Sequence, residues 1–169
     1  MRNSISYSIW AMPTGDARDQ LKLSIKLLKE IYDGAFFEPH VTLLSSFLGE
    51  EKILIEKTKK ISKNISPFMI TLNGFSYSKE FFESLFLKVQ LDQHLRLVRK
   101  ACCEEFRIIE HNYFPHLSLI YGDFSVAKKK KMMSRIGVFP KYFFVNKIFL
   151  VHNDEIQLRW KIIKEFPLK

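Results

Sequence analysis

A chain of 169 residues, 47% hydrophobic and 14% aromatic, is long and apolar enough to fold as one domain spanning 1–169 around a phenylalanine-rich core. Its 27 basic residues against 18 acidic ones leave a net charge of +9, a field that favours phosphate-bearing partners without identifying any. No apolar stretch approaches membrane-span length and the N-terminus has no signal-peptide core, so a soluble cytoplasmic protein with no membrane partner is expected, and nothing demands more than a monomer.

Alternation over 4–10, with Ile5, Tyr7 and Ile9 on one face, predicts a first strand that Pro13-Thr14-Gly15 ends. From Asp16, a candidate N-cap, Leu21, Ile25, Leu28 and Tyr32 recur at helical spacing until Asp33-Gly34 supplies a stop. Pro39 opens a strand carrying His40, at the position where a missing backbone donor matters least. A helix over 50–62, a strand over 67–76 closed near Asn73-Gly74 and a strand over 82–89 complete the first half.

In the second half Leu91, Leu95, Val98, Cys102 and Phe106 form a helical stripe. The two cysteines, Cys102 and Cys103, are adjacent on it, which excludes a disulfide framework and fits a reducing compartment; one is expected in the core and neither is expected to react. A strand over 115–121 and a helix over 125–134 ending near Gly137 follow, then strands over 142–152 and 156–166 joined by an Asn153-Asp154 turn. The lysine run 128–131, with Lys57, Lys59 and Lys60, reads as solvated surface. Hairpins in place of regular βαβ alternation argue for an α+β fold with antiparallel sheets.

Two segments repeat one another about half the chain apart: Pro39-His40-Val41-Thr42-Leu43-Leu44 and Pro115-His116-Leu117-Ser118-Leu119-Ile120. Read as strands, each turns its histidine and its hydroxyl to the same face. The repeat implies an internal duplication, with two similar lobes facing each other across a cleft and helices outside. A single histidine on an apolar strand reads first as a satisfied core residue. Two with the same neighbours do not, because burying two imidazoles and two hydroxyls without use has a desolvation cost. Of the five histidines, His94 is expected to face solvent, His111 to lie in a loop and His152 at a hairpin turn. Zinc is disfavoured because no cysteine or carboxylate repeats at ligand spacing, and a serine triad because no Gly-x-Ser-x-Gly elbow occurs.

These residues resemble the two-histidine (2H) phosphoesterase superfamily, defined by a pair of His-x-Thr/Ser-x motifs that His40-Val41-Thr42-Leu43 and His116-Leu117-Ser118-Leu119 match. Tyr7-Ser8-Ile9-Trp10-Ala11-Met12-Pro13 and the continuation Ile120-Tyr121-Gly122 are similar to the plant and yeast cyclic phosphodiesterase branch. The resemblance implies a bilobal α+β fold with pseudo-twofold symmetry, two antiparallel sheets lining a central cleft and helices outside. It also implies opening of a nucleoside 2′,3′-cyclic phosphate or of ADP-ribose 1″,2″-cyclic phosphate, a by-product of tRNA splicing, without metal or cofactor. Relatives called 2′-5′ RNA ligases and 3′-5′ RNA-processing phosphodiesterases keep RNA ends open as the alternative substrate.

Opening a cyclic phosphate needs a base for water, an acid for the leaving oxygen and donors to the non-bridging oxygens. The resemblance gives the base to His116 and the acid to His40; the residues themselves, being symmetric, allow the reverse. Thr42 and Ser118 are the expected phosphate donors. By the same resemblance Trp10 stacks on a base, although it also reads as a core aromatic. Tyr121 contacts substrate only if a strand end or bulge at Gly122 turns it inward, since alternation puts it on the opposite face from His116. Ser45 and Ser46 are expected to line the cleft. The reading of another class, a non-catalytic RNA-binding module, lacks any RNP-type or KH-type segment.

Overall fold

The computed structural model describes residues 5–109 and 112–169. The first residue of the expected opening strand, Ser4, and the expected loop histidine, His111, lie outside the described residues. In chain order the elements are β1 (Ile5–Ala11), α1 (Gly15–Tyr32), β2 (Val41–Phe47), α2 (Glu51–Ser62), β3 (Phe68–Tyr77), β4 (Leu85–Val89), α3 (Gln93–Phe106), β5 (His116–Ile120), α4 (Val126–Ile136), β6 (Tyr142–Val145), β7 (Lys147–Asp154) and β8 (Arg159–Pro167).

Several boundaries differ from the expected ones for local reasons. Thr14, not Asp16, holds the cap position of α1, and Asp16 falls in the first turn, where its charge suits the helix dipole. Asp33 itself takes the left-handed conformation that ends α1, at φ 55°. The strand expected from Phe82 starts at Leu85 because Phe81–Glu83 coil into a 3-10 turn. Instead of closing at Asn73-Gly74, β3 runs through them on a bulge, its register passing from Leu72↔Val89 to Phe75↔Leu87 with Gly74 at φ 102°. The expected 142–152 strand divides at Asn146 into β6, which pairs with β3, and β7, which pairs with β1. Its partner hairpin turns at 155–158 rather than at Asn153-Asp154, because pairing continues to Asp154↔Arg159.

The strands form one eight-stranded sheet in the order β6-β3-β4-β5-β2-β1-β7-β8, with antiparallel pairing throughout. The α+β architecture is as expected, and the two anticipated sheets are its four-stranded halves, joined through a single registered pair, Val41↔Leu117. The halves also interlock, since α1 packs behind β5 and α3 behind β2. Residues alternating with the motif side chains point away from the cleft into this helix-covered core: Val41, Leu43 and Leu117 are 0% exposed, as are Leu21 and Leu28 of α1. Each such aliphatic side chain contributes roughly 1.5–3 kcal/mol by burial.

Cys102 is in the core, where burial pushes its thiol up to about 12, and Cys103 is half-buried, as expected. The lysine run is solvated except at Lys129, which is buried and donates to the Ser78 carbonyl at 2.7 Å. Among the described residues no helix is long and apolar enough to cross a membrane.

Candidate active site

The seam between the half-sheets brings the two motifs together. Extending the antiparallel Val41↔Leu117 rung by one residue each way sets His40 beside Ser118 and Thr42 beside His116, all four on the face opposite the core. Neighbouring side chains on one face of such a pair are about 4.5–5.5 Å apart at Cβ, close enough for a phosphate to touch all four. They line a single cavity of about 220 Å3. His40 stands one residue before β2, not inside a strand opened by Pro39, whereas His116 is the first residue of β5.

Both imidazoles are fixed in the same way. His40 Nδ1 lies 2.7 Å from the Glu38 carbonyl and His116 Nδ1 lies 3.0 Å from the Phe114 carbonyl, each reaching back across the intervening proline. A carbonyl only accepts, so each Nδ1 carries a hydrogen and each Nε2 is left for the cavity. Arg18 at 3.0 Å and Lys22, both on α1, clamp the Glu38 side chain and so hold that carbonyl in place. Partial burial pushes the Glu38 carboxyl up, but the two cations outweigh it and keep it below its ordinary value.

The rings differ in their surroundings. His40 lies flat on the Trp10 indole, centroids 3.4 Å apart and planes 6° from parallel, with Phe37 edge-on at 6.0 Å. His116 is half-buried and meets Phe86 at 5.1 Å, tilted by 56°. Burial drives His40 down to about 3; the hydrogen bond to Glu38 opposes this, and the charge of His116 adds to it. The free site therefore holds His40 neutral at pH 7.

Thr42, Ser118, Ser45 and Ser46 all line the cavity. A bulge between the Tyr7↔Phe47 and Ile9↔Leu44 pairs places Ser45 and Ser46 there, with Ser46 at φ 59°. Tyr121 also reaches the cavity, against strict alternation and by the route left open for it: β5 stops at Ile120 and Gly122 takes φ 138°. Its ring stacks on Phe37 at 4.2 Å and its hydroxyl bonds with Ser118. Trp10 lines the wall but is 3% exposed and gives a ring face to His40, so on that face it supports the imidazole and not a base. His94 faces solvent as expected. His152 lies within β7 against Tyr7, not at a turn, because the hairpin closes later.

The sequence reading missed Phe37, Phe82, Glu83, Glu155 and Trp160, which share the cavity or its aromatic wall. An available signal for Phe37 was an aromatic pair close ahead of each Pro-His, Phe36-Phe37 one residue before Pro39 and Tyr113-Phe114 directly before Pro115. A second cavity, about 190 Å3, shares Thr42, Ser45, Glu83 and His116 with the first and adds Arg99 and Asn112. Arg99 donates to the Leu43 carbonyl and lies over the Tyr113 ring, whose hydroxyl donates to the Thr42 carbonyl at 2.9 Å, so α3 braces the backbone of the first motif.

Residues 5–139 match the family model described as cyclic phosphodiesterase-like protein. The chain belongs to that family. As a two-histidine phosphoesterase it is a hydrolase of phosphodiester bonds. It is 27% identical over 133 residues to the cyclic phosphodiesterase of Arabidopsis thaliana, covering 76% of this chain and 72% of that one. Its fold is similar to that of Escherichia coli LigT, solved with 3′-AMP, at a TM-score of 0.63 and 15% identity over 99% of each chain. A Thermus thermophilus protein gives 0.61 and 16% over 96% of this chain and 97% of its own.

For this phosphodiesterase the Trp10 stack has a measurable consequence. Trp10→Phe keeps an aromatic but loses much of the surface under His40, and if that ring takes part in the chemistry, its small misplacement lowers kcat on the order of tenfold with KM changing less. A merely structural role would leave the pH profile alone. Here easier solvation of the ring moves the acid limb upward, towards the ordinary histidine value. Steady-state kinetics across pH checks both.

Proposed function

We propose that this phosphodiesterase hydrolyses small cyclic phosphates, a nucleoside 2′,3′-cyclic phosphate or ADP-ribose 1″,2″-cyclic phosphate, to a phosphomonoester by metal-independent acid–base catalysis. The observation that carries the reading is the pair of imidazoles, each with Nδ1 tied to a carbonyl and Nε2 left for one cavity, beside two hydroxyls. One chain supplies the whole arrangement, which supports a monomeric enzyme. His116 takes the proton of the attacking water and His40 protonates the leaving ribose oxygen, with Thr42 and Ser118 donating to the non-bridging oxygens. Because His40 is neutral in the free site, it is the substrate's anionic phosphate, seated between the rings, that draws a proton onto it.

The pH dependence follows with its sign. The working pair holds one proton, and the second is added only when His40 titrates, at about 3 instead of 6.5. Activity therefore persists on the acid side down to that value. Between pH 6.5 and 4.5 kcat/KM drops less than about threefold, where an ordinary histidine limb centred near 6.5 gives about fiftyfold. A limb centred near 6.5, in protein shown by circular dichroism to stay folded, contradicts the burial argument.

The adjoining cavity with Arg99 and Asn112 favours a second reading, in which an RNA end extends past the reacting phosphate. Incubating the protein with EDTA and each nucleoside 2′,3′-cyclic phosphate, ADP-ribose cyclic phosphate or short oligonucleotides separates the two, with phosphorus NMR placing the product phosphate. Turnover of the small cyclic compounds supports the first reading. Turnover of oligonucleotides alone supports the second, and no turnover of either, or turnover abolished by EDTA, overturns the metal-independent scheme.

A further inference from the structure

The charge of the chain and the charge of its cleft have opposite signs. The net charge is +9, yet no lysine or arginine lines the cavity that holds the two imidazoles; its fixed charges are the carboxylates of Glu83 and Glu155. Neither carboxylate has an ion-pair partner among the described residues. Glu155 is exposed at the rim of the cavity but its charge reaches inward: burial raises the Tyr121 hydroxyl and the Glu155 carboxylate adds to it. Glu83 lines both this cavity and the adjoining one. The place of the phosphate is marked independently by His40, 6% exposed, with its free ring nitrogen left for the same space.

We infer that Glu83 and Glu155 set a charge filter, so that the cleft accepts a singly charged phosphodiester and disfavours the doubly charged phosphomonoester. The inference rests on the proposed hydrolysis and deepens it. Water adds across one phosphorus–oxygen bond of a cyclic monoanion, and the products are a dianionic monoester and a released proton. The ligand thus gains a negative charge at the moment of ring opening, while the two carboxylates face at most one imidazolium as long as His40 is neutral. The extra repulsion falls on the product and not on the substrate, and it empties the site for the next turnover.

The test compares two ligands that differ by one charge: a nucleoside monophosphate and its methyl diester, as inhibitors of cyclic phosphate hydrolysis at pH 8. Wild-type protein should bind the methyl diester on the order of fivefold or more tightly than the monoester, with the gap narrowing in high salt. Glu83→Gln and Glu155→Gln should each close part of the gap, and the double variant should nearly abolish it. Equal inhibition by the two ligands in wild-type protein, or an unchanged ratio in the double variant, overturns the filter. If wild-type protein opens no cyclic phosphate at all, it is the proposed hydrolysis that fails, and a ratio measured by calorimetry still decides whether the cleft sorts ligands by charge.

Discussion

Alanine at His40 or at His116 lowers turnover of a cyclic phosphate by about a hundredfold or more, the usual worth of a positioned acid or base. The two losses arise differently. His116 is half-buried and its removal leaves the fold nearly untouched, so His116→Ala isolates the chemistry. His40 is packed between Trp10 and Phe37, and His40→Ala opens a void there, so His40→Gln is the better partner for comparison. Groups that act as a unit are not additive, and the double variant should fall little below either single one. Circular dichroism and thermal melting verify folding, and rapid-quench kinetics read the rate. Near-normal turnover in all three single variants removes the two-histidine mechanism.

Thr42→Val reduces kcat/KM by about a hundredfold, as loss of a donor to developing phosphate charge does, while Ser118→Ala reduces it by only about tenfold. Pseudo-symmetry alone predicts equal effects. The difference comes from the hydroxyls' existing partners: that of Ser118 already donates to the Phe82 carbonyl at 3.2 Å and bonds with Tyr121, so binding phosphate exchanges one hydrogen bond for another. The Thr42 hydroxyl opens onto the cavity with no internal partner among the described residues, and valine keeps its shape. Parallel kinetics of the two variants on one substrate check the ranking, and a larger loss at Ser118 reverses the argument.

The site was legible where chemistry repeats in the sequence. His40, Thr42, His116 and Ser118 stood out because two short strands with one pattern bury their alternate residues, Val41 and Leu117 among them, and so must turn the polar ones to a common face. Tyr121 shows where period-two reasoning ends: it holds inside a strand, and the chain leaves the strand one residue too early for it. Glu155 and Trp160 were invisible, since they arrive from the far end of the chain through the pairing of β7 with β1, which no local pattern encodes. The same long-range pairing split the expected 142–152 strand, whose two apolar runs on either side of Asn146-Lys147 belong to opposite ends of the sheet.

With α1 packed behind β5 and α3 behind β2, each motif strand is backed by a helix from the opposite half of the chain. A fragment cut between the repeats keeps one reactive ring but loses the helix that buttresses it, which travels with the other piece.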